Sequence, residues 1–349
     1  MKRKISAQMK RSARRNVKEK ALYDGADDLM PISTGSTLLD LAITGNRFVA
    51  GGIPMGILVE IFGPHSCGKT VLMCELAGAI QRKGGNVLFY DPEARLNKQF
   101  ARMFGLNAGK IEYVVPETIT EVFSQIRKWN PPPAEYNGIF ADSLAALSTD
   151  MEMDSDEGDK MGMRRAKEFS QELRKTCRII TKKNYLVVCS NQIRVNPNAG
   201  KYEVKTKSTG GEAIGFYASL RLRGSAPQKI KEEKTLYGKK ITRAKGVQTK
   251  FDVFKSSIWE SYREAPLTVL SRYGIDDIRQ NLQFIKDYTK NKTYTVGGEN
   301  AGASMTNAIS FVGEHRLERQ LKKETIALWH KIETLFDDGR KPKYQLEEE

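Results

Sequence analysis

The chain has 349 residues, 40% of them hydrophobic and 28% charged, with a formal net charge of +15. That length suits one large α/β core with one or two small appendages. No apolar run reaches the roughly 18 residues that span a bilayer and no signal-peptide core follows the basic start, so membrane insertion and secretion are not expected.

A basic surplus this large points to a polyanionic partner, nucleic acid first, with solubility alone as the other reading. The first 20 residues, "MKRKISAQMKRSARRNVKEK", hold nine Lys or Arg against one Glu. They read as an arm on nucleic acid, a helix docking on a neighbour, or a disordered tail. The arm is taken as residues 1–31. Its Arg-rich, acid-poor character also allows organelle import as a minor alternative to a cytoplasmic location.

From "ISTGSTLLDLAI" the pattern becomes globular, and a core is expected over residues 32–274. Gly51 to Gly56 form a turn cluster, and "ILVEIFG" is an apolar strand suited to a parallel sheet. Next comes "GPHSCGKT", Gly63 to Thr70, then a helix to about Lys83, a Gly84-Gly85 stop and the strand "NVLFYD". Strands are predicted at "IEYVV", "GIFAD" and "YLVVCSN", separated by helix-length segments. The alternation predicts an α/β fold built on a doubly wound, mostly parallel sheet. After Gly211, "FYASLRLRG" and "GVQTKFDVFKSSIW" read as antiparallel strands joined by a long basic loop. Residues 275–349 read as a small α+β or helical domain with an acidic end, Glu347 to Glu349. The four cysteines, Cys67, Cys74, Cys177 and Cys189, lack C-x-x-C spacing and read as reduced thiols. His65, His315 and His330 are too scattered for a metal cluster.

The stretch G-x-x-x-x-G-K-T between a strand and a helix is a phosphate cradle: backbone amides wrap the phosphates, Lys69 reaches them, and Thr70 offers its hydroxyl to Mg²⁺. Asp142 ends an apolar strand, where it either completes the Mg²⁺ shell or caps a helix over "LAAL". Glu93, just past the next strand, either orients the attacking water or is a solvated loop carboxylate. Gln192 ends a further strand and reads as a loop-capping amide or a contact to the last phosphate.

"ISTGSTLLDLAI", "GGIPMGILVEIFGPHSCGKT", "FYDPEARLNKQFARMFGL", "IFADSLAAL", "SNQIR", "STGGEAIGFYASLRLR" and "TVLSRYGID" stand in one order from Ile32 to Asp276. Together they resemble the bacterial RecA family of recombinases, phage-encoded forms included. The resemblance implies a P-loop ATPase core that binds ATP and Mg²⁺ through Gly63, Pro64, His65, Ser66, Cys67, Gly68, Lys69, Thr70 and Val71. It makes Glu93 the catalytic glutamate, Asp142 the magnesium-shell aspartate and Gln192 the sensor of the γ-phosphate. It also places Phe100 against adenine, Lys255 on a neighbouring subunit's ATP, and Phe216 and Arg221 at the subunit interface. Two loops match its DNA-binding segments. The first spans residues 154–165 with Met161, Gly162, Arg164 and Arg165, and leads to a helix bearing Arg174. The second spans residues 194–211 with Arg194, Tyr202, Lys205, Lys207, Thr209, Gly210 and Gly211. A Gly- and Asn-rich loop carrying cations around one tyrosine suits phosphate contact with base stacking, and otherwise reads as a disordered surface loop.

The resemblance further implies helical homo-oligomers on single-stranded DNA that pair it with homologous double-stranded DNA. A hexameric translocase or a non-hydrolysing, ATP-switched regulator are the other readings of such a core. Departures from the family pattern are Ser257 and Gly215 where it has lysines, His65 inside the cradle, a longer first loop, and a longer, more basic hairpin from Gln228 to Lys250.

Overall fold

The computed structural model describes residues 30–149, 161–195, 206–208 and 212–340. The arm up to residue 29 and the acidic end lie outside the described residues. The strands are Leu58–Gly63 (β1), Asn86–Tyr90 (β2), Glu112–Val114 (β3), Asn137–Ala141 (β4), Tyr185–Val195 (β5), Thr206–Ser208 (β6), Leu220–Gly224 (β7), Gln228–Leu236 (β8), Lys239–Ser256 (β9), Glu264–Leu270 (β10) and Gly274–Ile275 (β11). They form one sheet in the order β11-β10-β9-β7-β1-β5-β4-β2-β3, with β6 paired to β5 and β8 to β9. The six from β7 to β3 run parallel, and β9, β10 and β11 continue the sheet antiparallel.

Every residue of β1 is buried, because helices cover both faces of the sheet. Thr37–Thr44 (α1) and Lys69–Arg82 (α2) lie on one face, where Leu39, Ile43, Leu72, Leu76 and Ile80 pack on Val59, Ile61, Phe89, Phe140 and Val188. The short helix Lys98–Met103 (α3) follows β2. Ile119–Lys128 (α4) and Met161–Lys182 (α5) lie on the other face, where Val122, Phe123, Phe169 and Leu173 pack on Leu58, Leu88, Ile139 and Val187. Successive strand residues feed opposite cores, as the period of two requires. This is the doubly wound, mostly parallel sheet expected.

Two expectations need correction. In "FYASLRLRG" only Leu220–Gly224 is strand, and it runs parallel to β1. Phe216 and Tyr217 end a helix, Glu212–Tyr217 (α6). The buried Ile214 and Ala218 are four apart, a helical spacing that aromatic-rich letters masked. The basic stretch that composition alone read as a loop is a β-ribbon, the hairpin that the resemblance implied. β8 and β9 pair from Gln228↔Gln248 to Leu236↔Lys239, closed by Tyr237 and Gly238, both at positive φ as a two-residue hairpin turn demands.

Beyond β11, Asp277–Asp287 (α7), the hairpin Tyr294–Val296 (β12) with Glu299–Gly302 (β13), Met305–Glu314 (α8) and Glu318–Leu335 (α9) enclose their own core of Leu282, Ile285, Val296, Val312 and Leu321. Buried polar contacts tie this unit to α1. Asp277 accepts from Thr37 N and Thr37 Oγ1, both at 2.7 Å, and Gln280 donates to Ser36 Oγ at 2.8 Å.

Asp40, fully buried on α1, accepts from Ser33 Oγ at 2.5 Å and from Thr34 N and Thr34 Oγ1 at 2.7 Å. Burial outweighs these donors and Lys322, and pushes its carboxyl up from 3.8 to about 6. An acid with a raised folded pKa stabilises the fold below its unfolded pKa and loses that contribution as pH rises through the folded value. Asp40→Asn cannot ionise, so wild-type stability should fall relative to this variant between pH 4 and pH 7, by about 3 kcal/mol. Urea melts of both proteins across that range check it. A pH-independent difference would show that Asp40 stays ionised in the fold.

Candidate nucleotide and nucleic-acid site

β1 ends at the middle of the sheet, where open α/β sheets bind ligands beyond the strands' carboxyl ends. The loop from Gly63 to Gly68 turns the chain from β1 into α2. Gly68 precedes the helix at φ 100°, a conformation that a side chain would strain. His65 and Ser66 face solvent, while Cys67 is buried below the loop. The Cys67 thiol is pushed up by burial and points at the glycine positions Gly63 and Gly224 rather than outward. Val71 is buried in the core beneath the helix start, so only its backbone belongs to the loop's surroundings.

Lys69 folds back over the loop, its Nζ donating to Gly63 O at 3.0 Å and Pro64 O at 2.8 Å. Thr70 Oγ1 donates to Asp142 Oδ2 at 2.5 Å, and the buried Ser190 hydroxyl donates to Asp142 Oδ1. Asp142 caps no α-helix here: the short 3₁₀ turn that follows is Leu144–Ala146. Glu93 pairs with the exposed Arg95 at 2.6 Å. Phe100 lies on α3, whose Asn97 caps the Phe100 amide at 2.7 Å, and packs on Phe104 with centroids 4.6 Å apart.

His65, Ser66, Lys69, Thr70, Glu93, Phe100, Asp142 and Gln192 line one cleft of about 300 Å³. Larger hollows lie beside the β8–β9 ribbon (about 780 Å³) and between the sheet and the C-terminal unit (about 580 Å³). Neither contains a phosphate loop, so chemistry and not volume locates the site. Cations, amides and an acid–hydroxyl pair around such a loop can hold a nucleoside triphosphate with Mg²⁺ and present a carboxylate to water. The sequence reading missed Arg95 and Ser190. Ser190 could have been found: it stands two residues before Gln192, on the same face of β5.

Residues 4–276 match the family described as the RecA N-terminal domain. Protein RecA of Thioalkalivibrio sulfidiphilus is 30% identical over 85% of this chain and 85% of its own length. Protein RecA of Syntrophus aciditrophicus is 30% identical over 93% and 89%, and that of Anaplasma marginale is 32% identical over 78% and 72%. The chain belongs to the RecA family. Among solved structures, the RadB recombinase aligns at 18% identity with a TM-score of 0.49, over 71% of this chain and 99% of that one, a likeness too loose to bear on the assignment.

The RecA-family sites outside the cleft are placed as follows. Lys255 does not line it: its Nζ donates to Gly215 O and Phe216 O, both at 2.9 Å. Phe216 is 76% exposed in this single chain, so burying it requires a partner. Arg221 turns inward to Glu60 at 2.6 Å. The end of the first predicted DNA loop is helical. Met161, Gly162 and Arg164 lie in the first turn of α5. Arg165 donates to Leu144 O and Ala145 O at 2.9 and 3.0 Å, and lies 5.8 Å over Phe169. Arg174 is exposed further along α5.

The second predicted loop begins as a strand. β5 runs on past Gln192 to Val195 and pairs with β6, setting Arg194 opposite Lys207. Tyr202, Lys205, Thr209, Gly210 and Gly211 lie outside the described residues. Among the described residues, no helix is long and apolar enough to cross a membrane.

Proposed function

We propose that this RecA-family protein is a DNA-dependent ATPase that assembles as an ATP-bound helical filament on single-stranded DNA and catalyses homologous pairing and strand exchange. The observation that carries this is the course of β5. One strand holds Gln192 in the nucleotide cleft and, two residues later, Arg194 opposite Lys207. Two basic residue types at one register position suit contact with a phosphate backbone.

In this reading Lys69 leaves its two loop carbonyls for the phosphates. Glu93 accepts the proton of the attacking water, and Gln192 reports the terminal phosphate to the β5–β6 hairpin. Thr70 and Asp142 supply hard oxygen donors for Mg²⁺, which would offset phosphate charge there. Lys255 and Phe216 act across the boundary with the next subunit, the arm up to residue 31 packs on that subunit, and the C-terminal unit gathers duplex DNA. The setting is the cytoplasm of a bacterium or of a phage-infected host.

Single-stranded DNA should raise ATP turnover by at least about tenfold, a coupling in the usual allosteric range. DNA affinity should fall with salt at about 0.7 log unit per log unit for each phosphate neutralised. Steady-state hydrolysis and a salt titration of DNA binding check both. Equal turnover with and without DNA, or a flat salt response, would contradict the reading.

A further inference from the structure

Glu60 is a fully buried acid in the central strand β1, three residues before the cradle. Asn191 Nδ2 donates to its Oε1 at 3.0 Å, and Arg221 Nε donates to its Oε2 at 2.6 Å. Asn191 stands on β5 itself, next to Gln192, and its Oδ1 accepts the Gln192 N–H at 3.0 Å. On the far side, the Arg221 guanidinium lies 4.6 Å from the Phe62 ring and 5.2 Å from that of Phe254. It also supports the last turn of α6. A Cβ on Gly215 would come within 2.9 Å of Arg221 Nη1, so the glycine lets helix and guanidinium close together. Lys255, opposite Arg221 in the β7–β9 register, binds the carbonyls of Gly215 and Phe216. Gln192, Asn191, Glu60, Arg221 and the Gly215–Phe216 turn thus form one continuous contact line across three strands.

A buried ion pair is a poor means of stabilising a sheet, since apolar residues of similar volume serve as well or better. Breaking one half leaves an uncompensated buried charge, so the partners shift together. Packed networks of this kind move between discrete arrangements rather than deforming gradually.

We propose that Glu60 is a positioning residue, and that the Asn191–Glu60–Arg221 chain carries the nucleotide-dependent setting of Gln192 to the face of the exposed Phe216 and the half-buried Lys255, where the next subunit docks. This rests on Gln192 meeting the terminal phosphate as described under the proposed function. Because filament assembly and DNA affinity rise together in that reading, loss of the chain uncouples DNA affinity from the nucleotide.

The test uses the full-length protein as wild type, Glu60→Gln and Asn191→Ala, with folding checked by circular dichroism. Affinity for a fluorescent single-stranded oligonucleotide is measured with ADP and with a non-hydrolysable ATP analogue. Affinity for a fluorescent ADP is measured without DNA. Wild type should bind DNA about 10- to 100-fold more tightly with the analogue than with ADP. In both variants that ratio should drop below about threefold, while Glu60→Gln keeps ADP affinity within about twofold. A merely structural role would weaken folding without moving the ratio, so a wild-type ratio in folded Glu60→Gln overturns the proposal. Should that variant fail to fold, Asn191→Ala, which leaves the Glu60–Arg221 pair in place, decides in the same way. A wild-type ratio near one would instead overturn the reading of Gln192, and the relay with it.

Discussion

Lys69→Ala should lose ATP hydrolysis and ATP-dependent DNA binding, each by on the order of 10²- to 10³-fold. The side chain's present partners are two loop carbonyls, and among the described residues no carboxylate pairs with it. Its charge is therefore held at the loop mouth by weak local bonds that a phosphate readily replaces. Each hydrogen bond to a charged group contributes about 1.5–3 kcal/mol, and two lost phosphate contacts account for a loss of that size. The fold should persist, since Lys69 is only half-buried and α2 is held by Leu72, Leu76 and Ile80 beneath it. Hydrolysis assays and oligonucleotide anisotropy with ATP test this. Wild-type DNA binding by the variant would remove the cradle from the mechanism.

Glu93→Gln should slow hydrolysis by about 10²- to 10⁴-fold, the usual contribution of a positioned general base, with ATP affinity within a few fold of wild type. Glu93 lines the cleft and is bound to Arg95 at 2.6 Å. Arg95 is 80% exposed, and exposed ion pairs are worth about 0–1 kcal/mol. The carboxylate is thus easily released to accept a proton from water, and glutamine keeps its shape without that capacity. Single-turnover hydrolysis alongside nucleotide binding separates the two effects. Near-normal turnover would assign the base elsewhere.

The parts legible in the sequence are those where local signals and tertiary packing agree. β1, the cradle and α2 announce themselves because an apolar strand, a Gly-Lys-Thr turn and an amphipathic helix are consecutive. Glu93 and Asp142 were findable as polar residues just past strand ends, and Gln192 stands at the last parallel pair of β5 with β1, although the strand itself runs on to Val195; parallel strands deliver these positions to one crevice. Phe216 was misplaced because aromatic letters suggest strand, while burial of Ile214 and Ala218 decides for helix. The β8–β9 ribbon was marked only by the family resemblance, because its β8 strand is exposed on both faces and no apolar alternation reveals it. The Glu60–Arg221 pair joins residues 161 apart along the chain. No local pattern in the sequence encodes that contact, which exists only once β7 lies beside β1.

Electron microscopy of the Glu93→Gln protein with single-stranded DNA, in ATP and in ADP, tests most directly whether the nucleotide cleft drives assembly on DNA. The expected result is helical filaments with ATP that are absent with ADP. Closed six-fold rings would indicate a translocase, and assembly indifferent to DNA would indicate an ATP-switched regulator. Either result would contradict the filament-forming recombinase.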